Sequence, residues 1–229
     1  MTNKLFIRLL ILVLGINCLV QNIDAQSVKE IKYDDGVYVG EMQNDMRKGQ
    51  GTYKWKNGDK YEGSWQDDLC HGHGVFTWKN GDRYEGNFVA GRKHGIGTMA
   101  WASGKTYEGA WQNDVPNGHG VFVWPTGNRY DGNYTNGNRD GRGVMTWANG
   151  DVYDGQWDND NQTGDGIFKS ANGDKYEGHY VNGKKHGHGV FNWATGEKYD
   201  GEWDNDEMTG TGIFVWPDGN RYEGNFVRG

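Results

Sequence analysis

Residues suited to a buried face alternate with polar residues along most of this chain. From Tyr84 to Phe88, positions occupied by rings and glycine alternate with Glu85 and Asn87. The segment from Gly95 to Trp101 has the same period: Gly, Gly, Met and Trp alternate with Ile, Thr and Ala. Since successive side chains of a strand point to opposite faces, this pattern predicts two β-strands in each such unit.

The two-strand unit recurs with a period of 23 residues and no insertion. Its marker is Tyr, then Glu or Asp, then Gly, which begins at Tyr61, Tyr84, Tyr107, Tyr130, Tyr153, Tyr176, Tyr199 and Tyr222. A degenerate copy, "YVG", begins at Tyr38. We therefore predict a lead-in with a degenerate half repeat over residues 26–37, eight repeats over 38–221, and a partial ninth over 222–229 that forms the last strand.

The unit "YEGSWQDDLCHGHGVFTWKNGDR", which begins at Tyr61, resembles the MORN repeat (membrane occupation and recognition nexus). The resemblance extends over nearly all of the chain after the N-terminal segment. It implies a role in binding, with phospholipid as one ligand class suggested by the family. In family members that are enzymes, the catalytic domains lie outside the repeats, and this chain has no room for such a domain.

The connections between repeats are tight turns. Asn57-Gly58, Asn80-Gly81, Asn149-Gly150 and Asn172-Gly173 occupy equivalent places, where glycine adopts a positive φ without a clash. A three-residue loop puts Trp78 and Tyr84 on one face, whereas a two-residue loop would put them on opposite faces. We predict the three-residue loop. The fold class is then all-β: an elongated antiparallel β-meander solenoid of hairpin repeats in a single twisted or curved sheet.

One face of this sheet should carry both the rings and the glycines, so that the glycines become notches into which neighbouring rings fit. Chains of hairpins without helices have no other way to cover an aromatic face. The predicted structural face comprises Tyr61, Gly63, Trp65, Gly74, Phe76, Trp78, Tyr84, Gly86, Tyr107, Gly109, Trp111, Trp124, Trp147, Trp157, Tyr176, Trp193 and Trp203.

Composition supports a core built from aromatic rings. The chain has 39 glycines but only 3 prolines, and aromatic residues make up 14% of it. Leu and Ile are scarce beyond the N-terminus, so rings must supply most of the buried area. The net charge of −7 opposes binding to nucleic acid.

The N-terminus has a different character. Lys4 and Arg8 precede an apolar run from Leu9 to about Val20, which is short for a membrane span but suits a signal peptide. We predict a signal peptide over residues 1–25 and a secreted or periplasmic chain, with an uncleaved membrane anchor as the alternative. Cleavage would leave Cys70 as the only cysteine, so no internal disulfide is expected.

Features that suggest chemistry are explained better as parts of the repeat. The sequence His71-Gly72-His73 recurs at His186 and His188, without a carboxylate or cysteine at ligand spacing. The acidic segment from Asp158 lacks the glycine and the glutamate of a calcium loop. Histidines at loop ends and an acidic hairpin loop are the simpler interpretations. No catalytic motif stands out, so we predict no enzymatic activity, no metal and no cofactor.

A second period of 46 residues lies within the first. Repeats that have Trp at their fifth position carry acidic loops, such as "QDD" and "DND", and they alternate with repeats whose loops are often basic. Loops of opposite charge would then lie roughly 10 Å apart, about one Debye length, and partly neutralise each other. A sharper hypothesis makes separate anion-binding points of Arg92, Lys93, Lys184 and Lys185.

These observations favour a non-catalytic, exported scaffold or binding module that binds a protein partner or associates with itself. The alternatives are a peripheral phospholipid-binding module and a module that binds carbohydrate or cell wall through exposed rings. The acidic net charge counts against the first alternative, and the second needs rings that lie open to solvent.

Overall fold

A computed structural model describes residues 27–229. The predicted signal peptide lies outside the described residues. The described part of the chain contains no helix long and apolar enough to span a membrane.

Eighteen strands make up most of the described chain. In chain order they are β1 (Ser27–Lys32), β2 (Gly36–Gln43), β3 (Met46–Trp55), β4 (Lys60–Gln66), β5 (Leu69–Thr77), β6 (Arg83–Val89), β7 (Arg92–Ala100), β8 (Thr106–Gln112), β9 (Val115–Val123), β10 (Arg129–Thr135), β11 (Asn138–Thr146), β12 (Val152–Asp158), β13 (Asn161–Lys169), β14 (Lys175–Val181), β15 (Lys184–Asn192), β16 (Lys198–Asp204), β17 (Glu207–Val215) and β18 (Arg221–Phe226).

Each strand pairs antiparallel with the next one in the chain, from β1–β2 to β17–β18. The strands form one sheet. The predicted all-β meander of hairpin repeats is therefore confirmed. Ile31 of the degenerate half repeat lies in β1 and pairs with Tyr38, and Tyr222 lies in β18.

Two kinds of loop join the strands, at opposite ends of them. The loop between β5 and β6 has the predicted form, because the Trp78 N–H donates to the Asp82 carbonyl at 2.9 Å around three residues that end in Gly81. Gly81 has a φ of 93°. Trp78 and Tyr84 therefore share a face. The loop between β8 and β9 is instead a two-residue turn, Asn113-Asp114, with φ of 49° and 72°, as hairpin twist favours.

The longer strand of each repeat contains a bulge that the alternation did not predict. Gly86 pairs with Gly97, yet the next pair is Asn87 with His94, so Gly95 and Ile96 have no partner in β6 and the register shifts by two residues. Gly95 has a φ of 63° there, which explains why the first glycine of the Gly-x-Gly pair is needed.

The tyrosine that begins each repeat lies over glycines of its own strand and of the next. Tyr84 is fully buried, and a Cβ added to Gly97 would lie 2.3 Å from the Tyr84 hydroxyl oxygen. That hydroxyl donates a hydrogen bond to the Asn87 carbonyl at 3.1 Å. Eight tyrosines share this position, and the glycines act as the predicted notches: Tyr38, Tyr61, Tyr84, Tyr107, Tyr130, Tyr153, Tyr176 and Tyr199.

These tyrosines and the rings at the fifth position of the repeats form a continuous edge-to-face ladder. Tyr84 contacts Phe88 of its own strand at 5.1 Å between centroids and Trp111, two strands further on, at 5.5 Å. Such T-shaped pairs add stability beyond the area that they bury. The same two contacts recur through the array and join neighbouring repeats.

The three-residue loops also bind one another. The Asp82 carboxylate accepts the Ala102 backbone N–H of the next loop at 2.8 Å. One repeat later, Lys105 replaces the aspartate and Pro125, which has no N–H, replaces the donor. The acceptor and the donor of this hydrogen bond are thus lost together.

Candidate binding face

The aromatic face has two layers. The buried ladder contains the predicted residues Tyr61, Trp65, Tyr84, Tyr107, Trp111, Trp157, Tyr176 and Trp203. Half-buried rings pack against that ladder nearer to the three-residue loops and include the predicted Phe76, Trp78, Trp124, Trp147 and Trp193. The predicted glycines lie in the strands beneath the tyrosine rings: Gly63, Gly74, Gly86 and Gly109.

The outer indoles form a line that we call the tryptophan row. Each member immediately precedes a three-residue loop, and its backbone N–H closes that loop. The row consists of Trp55, Trp78, Trp101, Trp124, Trp147, Trp193 and Trp216, and Ser170 takes the equivalent position between Trp147 and Trp193. Successive positions are two strands apart, which corresponds to about 9.6 Å along the sheet.

Rings of the tryptophan row and the phenylalanines beside them cover one another's faces. The Phe122 centroid is 4.4 Å from Trp124 of its own strand and 5.6 Å from Trp101 of the preceding repeat. The interplanar angles are 40° and 33°. Rings stacked in this way cover part of each other's faces and leave less of each face open to solvent. Buried Met99 and Met145 replace the phenylalanine at two places in the stack.

The two layers differ in what their indole nitrogens do. Nε1 of buried Trp111 donates to the Gly97 carbonyl at 3.0 Å, and the equivalent indoles of the ladder do the same. Among the described residues, no hydrogen-bond acceptor contacts an indole nitrogen of the tryptophan row, and no buried side-chain nitrogen lacks a partner. The N–H groups of the row therefore point to solvent.

Near the two-residue turns, a cation, an indole and a carboxylate come together in a group that we call a clamp. The Lys93 ammonium lies 4.5 Å from the Trp111 ring centroid, and the Lys93 backbone N–H donates to the Asp114 carboxylate at 3.0 Å. Burial lowers the pKa of Lys93, an effect that the Asp114 charge opposes. The other clamps are Arg47–Trp65–Asp68, Arg139–Trp157–Asp160 and Lys185–Trp203–Asp206.

Of the four residues predicted to bind anions, Lys93 and Lys185 lie in clamps, where an aspartate and an indole contact them. Arg92 and Lys184 are exposed, and neither makes an ion pair with the described part of the chain. The structure does not bring the four together, and their binding of anions stays a prediction. Sequence reasoning did not single out Arg47 and Arg139, although the 46-residue period places them at the Lys93 position.

Hollows lie between the tryptophan row and the clamps. One of 390 Å³ is lined by Trp55, Trp65 and the Arg47–Asp68 pair. Another of 350 Å³, six repeats further on, is lined by the equivalent Trp193, Trp203, Lys185 and Asp206. The charged groups around each hollow form pairs of opposite sign, so the aromatic face carries little net charge at these places.

The opposite face of the sheet is polar. Its carboxylates pair with neighbouring cations, for example Glu85 with Arg83 at 2.6 Å and Asp131 with His119 at 3.1 Å. Residues 27–229 contain no group of three or more potential ligands that could hold a metal ion. The histidines lie inside the strands rather than at loop ends as predicted, because the turns have only two residues.

The acidic segment that resembled a calcium loop is a hairpin turn, as expected. Its turn residues are Asn159 and Asp160. The Asp160 carboxylate accepts hydrogen bonds from the backbone N–H and the guanidinium of Arg139, at 3.0 and 2.8 Å. This carboxylate therefore belongs to a clamp.

Comparison with known proteins agrees with the repeat architecture. The family model for the MORN repeat matches eight consecutive segments: residues 38–60, 61–83, 84–106, 107–129, 130–152, 153–175, 176–198 and 199–221. No curated protein matched the chain in a sequence search.

Solved structures show a distant likeness. The wild-type TCP10 domain of Danio rerio CPAP is 11% identical with a TM-score of 0.45, and the alignment covers 86% of this chain and 100% of that one. The same domain in complex with a peptide of Danio rerio STIL is 13% identical with a TM-score of 0.43, covering 87% of this chain and 100% of that one.

Proposed function

We propose that this chain, which belongs to the MORN repeat family, is a non-catalytic, exported scaffold that binds a protein partner along its aromatic face. The observation that carries this proposal is the tryptophan row, a line of half-buried indoles. The row lies outside the core of the sheet, which is formed by the buried ladder of rings. Half-buried aromatic rings with free donors are typical of protein-binding surfaces.

A protein partner suits this face better than a phospholipid surface. Binding to anionic lipid requires basic side chains that converge and remain free. The Lys185 ammonium is instead paired with the Asp206 carboxylate at 3.6 Å, and the Lys93 ammonium lies over the Trp111 ring. The whole chain has a net charge of −7. Exposed Arg92 and Lys184 are four repeats apart, so each would act alone.

A glycan partner also has less support. Sugar rings stack on broad aromatic faces that lie open to solvent. In the tryptophan row the faces cover one another, as the 4.4 Å separation of Phe191 and Trp193 illustrates. Ring edges and indole N–H groups remain for a ligand.

Export is supported by the sequence alone, from Lys4, Arg8 and the apolar run that follows them. The non-catalytic role is supported by the repetition itself, because the residues of each repeat serve packing, turns and clamps. N-terminal sequencing of the protein isolated from its source tests export: a chain that begins at Gln26 supports it, and a chain retained in the cytoplasm contradicts it.

Photocrosslinking tests which face binds and what it binds. A photoreactive benzoylphenylalanine replaces Trp101 in one variant and Ile96 in the other, since Ile96 is 64% exposed on the opposite face. We expect a covalent adduct with a protein from position 101 and none from position 96. Adducts with lipid, or equal protein adducts from both positions, would refute the proposal.

A further inference from the structure

The spacing of the tryptophan row matches a particular peptide conformation. Successive row positions lie two strands apart, or about 9.6 Å. A polyproline II helix advances about 9.3 Å in each turn of three residues. A peptide in this conformation that lies across the strands would therefore present an equivalent residue to each indole in turn.

The hydrogen-bonding groups of the row fit the same ligand. An indole N–H only donates, and those of Trp101 and Trp124 have no acceptor among the described residues. Polyproline II has no internal hydrogen bonds, so its carbonyls are free, and proline adds no N–H that would need an acceptor. A row of donors thus complements a ligand that offers only acceptors.

Shape and charge point in the same direction. Aromatic rings line the hollow beside Trp55, and the stack of rings along the row is interrupted at buried Met99 and Met145. Aromatic-lined grooves bind proline-rich segments in peptide-binding domains in general. Three of the four clamps pair their own charges, and in the fourth the Lys93 ammonium lies over the Trp111 ring, so this face does not require a charged partner.

We propose that the partner segment bound by the tryptophan row is proline-rich and adopts the polyproline II conformation. This inference rests on the proposed function and names the chemistry of the partner. The uninterrupted part of the row, from Trp55 to Trp147, is four steps or about 38 Å long. It accommodates about 12 residues of polyproline II.

Ser170 limits the length of this site. It takes the position of a row member, but its hydroxyl accepts the Asp174 backbone N–H at 3.0 Å and supplies no indole. Beyond it, Trp193 and Trp216 continue the row. The variant Ser170→Trp would complete a row that accommodates about 22 residues.

The experiment titrates the full chain with oligoprolines of about 6, 12 and 24 residues, followed by calorimetry and tryptophan fluorescence. Gly-Ser peptides of equal length are the flexible controls, and cellohexaose and chitohexaose probe glycan binding. We expect saturable oligoproline binding whose affinity rises with length up to about 12 residues and then levels off. Ser170→Trp should let the affinity rise further with the longest peptide.

Indole donors are tested with Trp101→Phe and Trp124→Phe, which keep a ring but remove the N–H. Each should weaken oligoproline binding about fivefold. Ile96→Ala on the opposite face is the matched control and should change nothing. Circular dichroism verifies that each variant keeps the sheet, and Ser170→Trp tests the row without removing any packing group.

The outcomes separate this inference from the proposed function. Oligoproline binding that responds to the row variants supports the inference. Binding of an oligosaccharide in place of oligoproline, equal binding of Gly-Ser peptides, or no binding would overturn it. If a protein adduct forms from position 101 while oligoproline fails to bind, the scaffold function stands and only the proline-rich partner is refuted.

Discussion

Neighbouring hairpins meet at two kinds of junction that have the same backbone but different side chains. At a clamped junction, Lys93 lies against Trp111 and Asp114. At an open junction, uncharged residues replace the cation, rings other than indole replace Trp111, and glycine replaces the aspartate. The cation is replaced by Cys70, Pro116, Gln162 and Met208. The indole is replaced by Phe88, Tyr134, Tyr180 and Phe226. The aspartate is replaced by Gly91, Gly137, Gly183 and Gly229.

At an open junction, a backbone hydrogen bond joins the turns of neighbouring hairpins, without the side-chain contacts of a clamp. The Gly183 N–H donates to the Gln162 carbonyl at 2.9 Å, and Asp114 makes the equivalent bond to the Lys93 carbonyl at 3.1 Å. The clamp adds a cation–π contact and a charge-assisted hydrogen bond to it. The energetic unit of the array is therefore the 46-residue pair, and open junctions should open first in local unfolding.

Alkaline pH should have the largest effect, because the buried tyrosines must stay neutral. Burial raises the pKa of Tyr107 to about 12, above its unfolded value of about 10. The stabilisation from such a group is complete below about pH 10 and is lost as pH rises through the folded value. We expect the sheet to unfold above about pH 11, with circular dichroism and tyrosinate absorbance changing together.

Open junctions should be affected first under alkaline conditions. Two open junctions have a second buried tyrosine, Tyr134 or Tyr180, at the position where clamped junctions have Trp. Burial raises the pKa of both tyrosines. Hydrogen exchange over β10 and β14 should therefore accelerate at lower pH than exchange over β12, whose Trp157 lies against Arg139, a cation that keeps its charge at alkaline pH. Tyrosines that titrate near pH 10 while the sheet persists would contradict this account.

Removal of a clamp indole should be the next largest effect. Trp111→Ala leaves a cavity in the ladder and should cost about 3–5 kcal/mol of unfolding free energy. Tyr134→Ala is the open-junction comparison, and its cost should be at least about 1 kcal/mol smaller, because Trp111→Ala also removes a larger ring, its contact with the Lys93 ammonium and its hydrogen bond to the Gly97 carbonyl. Urea unfolding, with hydrogen exchange at Lys93 and Asp114, measures both. Equal costs would mean that the clamp contributes nothing.

Conversion of an open junction into a clamped one should have the smallest effect. Gln162→Lys, Tyr180→Trp and Gly183→Asp together reproduce the clamp residues. Aspartate fits the turn, since Gly183 has a φ of 78° and Asp206 a φ of 74°. We expect a gain of about 1 kcal/mol and slower exchange at the new junction. Gln162→Lys alone should bring no gain, and a triple variant no more stable than this control would refute the role of the clamp.

Local rules allowed several features to be predicted residue by residue. Gly81 indicated a three-residue loop, and the loop placed Trp78 and Tyr84 on one face. The glycine-rich strands indicated notches for rings. The bulge at Gly95 and Ile96 was missed. β7 pairs with β8 without a shift but with β6 in a shifted register, and the alternation of residue types along one strand does not reveal this difference.

The sequence by itself determined the repeat length, the strands, the positive-φ turns and the face that carries the rings, because each depends on residues close together in the chain. Only the tertiary structure decided which rings are buried and which remain half-exposed. It also decided that the Lys93 backbone N–H donates to the carboxylate of Asp114, 21 residues away, and that the Lys93 ammonium lies over the Trp111 ring. Such contacts depend on the register in which the strands of neighbouring repeats pair. No single residue of the sequence indicates that register.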